Sequence, residues 1–261
     1  MIDINCLKYG KELFRKYFVE YRNEYDALLE NCESKVKTKV FSKVNSYPII
    51  FDLCEAFAHN KFNRFSVISK KPKSGNYSEH YYDEKNKLIF SSVFEDSRCV
   101  HIEVLIRDTD MIAVLSFDQH HFLYKIQITT FSSNIPTAYI CCTYRKFSGY
   151  MMDCSNYVFD DRMNLRSIET SYNRLLIDET DEELLSYDSC VEKCLADESL
   201  LSVPWSTYNL ECTYTDSGIL SEIRTYENHS MPKFISCENI TQVDEKSAFA
   251  FKKIIADLLK M

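Results

Sequence analysis

"FLYKIQITTFSSNIPTAYICCTYRK", residues 122–146, holds two runs rich in β-branched and aromatic residues, "FLYKIQITTF" and "TAYICCTYRK". Side-chain character changes on a period of two, as a strand with two different faces requires. Only "SSNIP" separates the runs. A parallel crossover needs about a dozen residues or more, so these strands are antiparallel. Upstream, "CVHIEVLI" (99–106) and "MIAVLSF" (111–117) repeat the pattern across the short polar links "RDTD" and "DQHH". From about Tyr77 to Asn173 the spacing predicts an antiparallel meander. "TYNLECTYT" (207–215), "ILSEIRTYE" (219–227) and "KFISCENI" (233–240) predict a return to sheet.

Inside the predicted sheet lies a weak repeat: "YDEKNKL" (82–88), "FDQHHFL" (117–123), "FDDRMNL" (159–165) and "YTDSGIL" (214–220). Each has an aromatic residue six places before a leucine. Asp follows the aromatic directly in three, and Asp216 comes one place later in the fourth. This reads as a hairpin: the aromatic ends one strand, Asp accepts backbone hydrogen bonds in the turn, and the leucine opens the return strand. The leucines are unevenly spaced, which excludes a solenoid of fixed period.

The ends read as helical. Leu13, Phe14, Tyr17, Phe18, Tyr21, Tyr25, Leu28 and Leu29 recur at three- and four-residue spacing, which predicts one helix from Tyr9 to Glu33. A second is expected from about Pro48 to Asn60, with Pro48 in its first turn. The stretch "DETDEELLSYDSCVEKCLADE" (178–198) has the narrow apolar face of an inserted acidic helix, near 179–197. A last helix is expected near 244–260, with Phe251, Ile254, Ile255, Leu258 and Leu259 as its core stripe and Asp244 and Glu245 at its positive end. The expected fold class is α+β: a helical N-terminal portion (1–75) packed on a large twisted antiparallel sheet (76–261), with the acidic inserted helix and the C-terminal helix, as one compact unit.

Four glycines in 261 residues, with no G-x-G-x-x-G and no G-x-x-x-x-G-K, exclude dinucleotide and P-loop chemistry. No H-E-x-x-H and no G-x-S-x-G occurs either. "MIDINCLKYGKELFRKYF" threads charges through its apolar residues, unlike a secretory leader. Eleven cysteines, an odd number with no C-x-x-C, read as reduced thiols in the cytoplasm. Cys190 and Cys194 stand at i,i+4 spacing, and His120-His121 lies beside Asp118. Both are better read as structure than as metal ligands, so no metal and no cofactor is expected. Basic segments at 35–43 and 61–73 carry Phe41, Phe62 and Phe65, a mixture used for stacking on single strands. The pI near 5.4 opposes a nucleic-acid partner. The lysines at 35–43 alternate with apolar residues, which also suits an edge-strand guard.

The charge is placed unevenly. Residues 178–198 hold nine acidic side chains and one lysine, so they account for the whole formal charge of −8. Such a cluster steers a basic partner toward it. The candidate partner-binding residues are Glu179, Asp181, Glu182, Glu183, Asp188 and Glu192.

The aromatic–Asp–polar–Leu hairpins resemble the β-hairpin repeats of YD-type and related bacterial β-repeat proteins, although three of the four turns lack that pattern's glycine. The acidic, glycine-poor, β-rich character without a catalytic motif is similar to that of immunity proteins encoded beside bacterial polymorphic toxins. That resemblance implies a non-catalytic cytosolic protein that binds and neutralises a basic toxin domain, with no membrane association. The alternatives are a hydrolase or transferase with dispersed catalytic residues, and a scaffold subunit of a larger assembly.

Overall fold

The computed structural model describes residues 4–44, 48–49, 51–58, 65–145, 149–175, 206–229 and 237–259. Its body is one open antiparallel sheet of thirteen strands. The strands are β1 (Thr38–Lys43), β2 (Val67–Ile68), β3 (Tyr77–Tyr82), β4 (Leu88–Glu95), β5 (Arg98–Arg107), β6 (Met111–Asp118) and β7 (Leu123–Ser132), then β8 (Ile135–Arg145), β9 (Gly149–Phe159), β10 (Leu165–Leu175), β11 (Ser206–Tyr214), β12 (Leu220–His229) and β13 (Cys237–Gln242). From β3 to β13 spatial order follows chain order, and β1 and β2 close the sheet beyond β3. The described helices are α1 (Ile4–Tyr21), α2 (Tyr25–Glu33), α3 (Leu53–Ala58) and α4 (Glu245–Leu259).

The α+β expectation is therefore corrected. Among the described residues strand far outweighs helix, and the helices are short attachments to one dominant sheet. The error has a physical source in the N-terminal third, where β1 and β2 interrupt what was read as a helical portion. The first predicted helix is also two. It breaks at Arg22–Glu24, where Arg22 N–H still reaches Phe18 O (3.0 Å) and Glu24 N–H turns back to Tyr21 O (3.1 Å). The second predicted helix begins after Asp52, whose Oδ1 accepts the Glu55 N–H at 2.9 Å as an N-cap, and not at Pro48. The expected acidic helix lies outside the described residues.

Alternation divides the sheet between two cores. Ile140 and Cys142 point into one, formed with Phe14, Phe18 and Leu28 of α1 and α2. Tyr139 and Cys141 point into the other, formed with Leu53 and Phe57 of α3 and Phe251 and Leu258 of α4. Helix α1 approaches the sheet closely at Gly10, where a Cβ would stand 3.1 Å from both Cys154 Sγ and Ile140 Cγ2. The adjacent cysteines 141 and 142 are thus one residue apart in sequence and a sheet's thickness apart in environment.

The four repeat segments are hairpin turns of one construction. Asp83 Oδ1 accepts the N–H of Lys85 and Lys87, Asp118 Oδ1 those of His120 and Phe122, and Asp160 Oδ1 those of Arg162 and Asn164, all at 2.8–3.0 Å. In the fourth, Thr215 Oγ1 takes this role toward Ile219 N–H (3.1 Å), in place of Asp216. The residue three places after each acceptor is left-handed: Asn86 (φ 58), His121 (φ 65), Met163 (φ 63) and Gly218 (φ 77). A type I turn followed by a left-handed residue is a standard hairpin link, and glycine serves it best. Methionine there bears a strain of about 1–2 kcal/mol. Met163→Gly is expected to stabilise the protein by about 0.5–1 kcal/mol, after the extra backbone entropy of glycine is subtracted. Urea denaturation measures this, and a variant no more stable than the parent would show that Met163 is unstrained.

Candidate functional site

The six carboxylates proposed from sequence, Glu179, Asp181, Glu182, Glu183, Asp188 and Glu192, lie outside the described residues, as do Cys190 and Cys194. The remaining candidates are placed as follows. His121 packs against α2, its ring stacked on Tyr25 at 3.8 Å between centroids and its Nδ1 4.0 Å from Asp26. Asp118, the neighbour considered as a co-ligand, spends its Oδ1 on the turn. Among the described residues no group of three or more His, Cys, Asp or Glu side chains is arranged to hold a metal ion. The basic segments do not assemble a stacking platform from the residues described. Lys39 and Lys71 form ion pairs with the buried Glu79 at 2.8 and 3.2 Å, and Phe65 is turned edge-on to His80.

Sequence reading missed a polar network crossing β1, β3, β4, β5 and β7. Ser42 Oγ lies 2.8 Å from His80 Nε2, and His80 Nδ1 lies 2.8 Å from Ser91 Oγ. Ser91 stands opposite Glu103 in register. Glu103 Oε1 is 3.1 Å from His101 Nε2, and the Tyr124 hydroxyl is 2.7 Å from His101 Nδ1. Burial opposes the charge of Glu103, but the hydrogen bond from His101 and the surrounding positive groups, Lys125 among them, outweigh it and hold the carboxyl below the ordinary range. The Ser42–His80 distance would suit a nucleophile and its base. Yet Ser42 is 0% and His80 1% exposed, so a substrate carbonyl has no approach to that hydroxyl. This pair satisfies buried polar groups between strands. The buried thiols are equally withdrawn. Burial pushes Cys54 up to about 12, Cys141 to about 11 and Cys212 to about 12, away from the thiolate that a nucleophile requires.

What the described surface offers is a groove. It runs between α4 and the hairpin turns at 160–164 and 215–219, has a volume of about 570 Å³, and is lined by Met163, Ile219, Leu220, Phe249, Lys252 and Leu259 among others. Phe249 is 73% exposed and Ile219 46%. A second hollow of about 470 Å³ adjoins it and is charged, with Asp160, Arg162, Arg166 and Asp216 in its walls. Arg166 is fixed by Asp160 (3.0 Å) and lies over the Tyr214 ring (5.4 Å). The Asn164 N–H bonded to Asp160, together with its neighbours, holds that carboxyl below the usual range, so it stays charged beside Arg166. An apolar groove with a charged end has the character of a binding site. Its signal in the sequence is Phe249, which stands about 200° around the helix from Phe251 at 3.6 residues per turn. It falls outside the core stripe.

No family model matches this chain, and no curated protein matches it. Among solved structures it is similar to a porin-like protein from Bacteroides uniformis ATCC 8492, with 8% identity over 66% of this chain and 91% of that one, at a TM-score of 0.24. A porin-like protein from Bacteroides vulgatus ATCC 8482 gives 12% identity over 79% and 98%, at a TM-score of 0.19. Likenesses of this size carry no argument about fold or function. Among the described residues no helix is long and apolar enough to cross a membrane.

Proposed function

We propose that this chain is a non-catalytic cytosolic binding protein that captures a basic protein partner, and in its most concrete form an immunity protein that neutralises a cognate toxin. The observation that carries the reading is the placing of charge: residues 178–198 alone account for the net −8. Like charges that dense in sequence repel one another. They become useful when a basic surface approaches. A nuclease toxin, with its necessarily basic substrate groove, has such a surface. The groove beside α4 supplies apolar anchoring that charge alone lacks.

The test replaces Glu179, Asp181, Glu182, Glu183, Asp188 and Glu192 with Gln or Asn and measures association with the product of the neighbouring gene across a salt series. The association rate is expected to fall by about tenfold or more at low salt, and its salt dependence to flatten, with little change in dissociation. Rates and salt slopes equal to those of the parent protein would reduce the acidic stretch to a solvated surface.

A further inference from the structure

We infer that β13 is an interaction edge, and that its occupant is β13 of a second copy of this chain, paired antiparallel about a two-fold axis at Ile240. The two ends of the sheet differ. At one end β2 is two residues long, and the strand behind it carries Lys39 and Lys43, the short and charged form that discourages edge pairing. At the other end β13, "CENITQ", has six consecutive exposed residues with no lysine, proline or bulge. Among the described residues it pairs with β12 alone.

The main chain of β13 is set for pairing. Val243 N–H donates to Ser221 O at 2.9 Å, so residue 243 faces β12. In an antiparallel ladder the N–H and C=O of successive residues point to alternate sides. The register Glu222↔Gln242, Ile223↔Thr241 and Arg224↔Ile240 therefore leaves the N–H and C=O of Glu238, Ile240 and Gln242 directed away from β12.

Side chains select the occupant and its register. An axis at Glu238 would set that carboxylate against itself, and an axis at Thr241 would set it against Asp244. An axis at Asn239 would set Glu238 against the apolar Ile240, and one at Gln242 would set Ile240 against Asp244. With the axis at Ile240, residues equidistant from it face each other. Ile240, 53% exposed, meets its own copy, Asn239 meets Thr241, and Glu238 faces Gln242 as acceptor and donor, the two side chains also reaching Arg224 (3.9 Å) and Glu222 (2.9 Å) of their own β12. Each of the three outward-facing pairs closes two main-chain hydrogen bonds. No like charges oppose one another. The strand is complementary to itself in this one arrangement, as the isologous contact of a C2 dimer requires.

The test is sedimentation velocity over a concentration series, with Ile240→Pro and Ile240→Lys as variants. The weight-average mass of the parent protein is expected to rise from 30.7 kDa toward twice that value. Proline is tolerated on an edge strand when its missing N–H faced outward, so Ile240→Pro should remain monomeric with an unchanged melting transition. If that variant misfolds, Ile240→Lys decides the matter in the same way. In a Cys237→Ser background, Ile240→Cys should form a covalent dimer under mild oxidation, because facing residues in such a pair stand about 5.5 Å apart at Cα, within disulfide reach. A parent protein that stays monomeric throughout would overturn the inference. So would a dimer that survives both substitutions at Ile240, or one that Ile240→Cys fails to cross-link.

Discussion

Replacing Phe18 with alanine is expected to cost about 3–5 kcal/mol, the range for a fully buried aromatic ring. Phe18 is 1% exposed, stacks on Phe14 at 5.7 Å, and lies beneath the Arg22 guanidinium at 5.5 Å. The residue matters beyond its own contacts. Helix α1 covers the apolar side of the central strands, including Leu115, Ile126 and Ile140, and a single sheet cannot cover that side itself. Against a typical domain stability of about 5–15 kcal/mol the loss is large. Urea unfolding should show a lower midpoint, and the neighbouring Val19→Ala, at a 61% exposed position, should stay within about 0.5 kcal/mol of the parent. A Phe18→Ala variant within 1 kcal/mol of the parent would mean that α1 does not hold the sheet.

The second large effect is expected at Glu79, and it depends on pH. Its side chain is 2% exposed, ion-paired with Lys39 (2.8 Å) and Lys71 (3.2 Å), and hydrogen-bonded by the Tyr81 hydroxyl. Burial opposes the charge, but hydrogen bonds from Lys39, Tyr81 and Lys71 together prevail, so the carboxyl titrates below its ordinary value of 4.5. A carboxyl lowered in the folded state adds stability above its unfolded pKa, and that stability is lost as pH falls through the folded value. Glu79→Gln should therefore cost about 2 kcal/mol at neutral pH, where a charge-assisted set is replaced by weaker bonds, with both lysines partly solvated. The gap between parent and variant should narrow steadily below pH 4.5. A gap that stays constant from neutral pH to about pH 2 would show that the carboxylate's charge is not what stabilises this corner.

The sheet was legible where its strands have two unlike faces and its turns carry polar markers. "KIQIT" within 122–131 alternates, "MIAVLSF" is a short apolar run of strand length buried on both faces, and Asp83, Asp118 and Asp160 sit where turn chemistry needs an acceptor. Its dominance over the fold was not legible. The alternation at 35–43 hinted at an edge strand, but six residues at Thr38–Lys43 and two at Val67–Ile68 were outweighed by the longer helical patterns around them, so the N-terminal third read as helical. The break between α1 and α2 was hidden for another reason. Tyr21 and Tyr25 are four residues apart, so the apolar phase continues across the gap although the hydrogen bonding does not. Left-handed Met163 carried no signal, because nothing about methionine announces a positive φ. Of the candidate site, the charge at 178–198 is plain in the sequence. The groove is not, since it joins Met163, Ile219 and Phe249 from three distant segments. The His80 network was equally invisible, because its members are neighbours only through strand register.

The unbroken chain order of the sheet also has a mechanical meaning. From β3 to β13 each strand borders its own predecessor and successor, joined at many of these borders by a short hairpin turn. Tension drawn along the chain from β13 acts across the hydrogen-bonded rungs rather than along them, so it opens them one at a time, as a zip opens. Helices α3 and α4 pack across this end, where Phe57 and Phe251 meet at 4.1 Å, so they must leave before the strands can part. Released, each hairpin has its partner beside it in the chain and re-forms without a long search. Once those two helices are released, the sheet can open strand by strand, more like a folded strip than a sealed box.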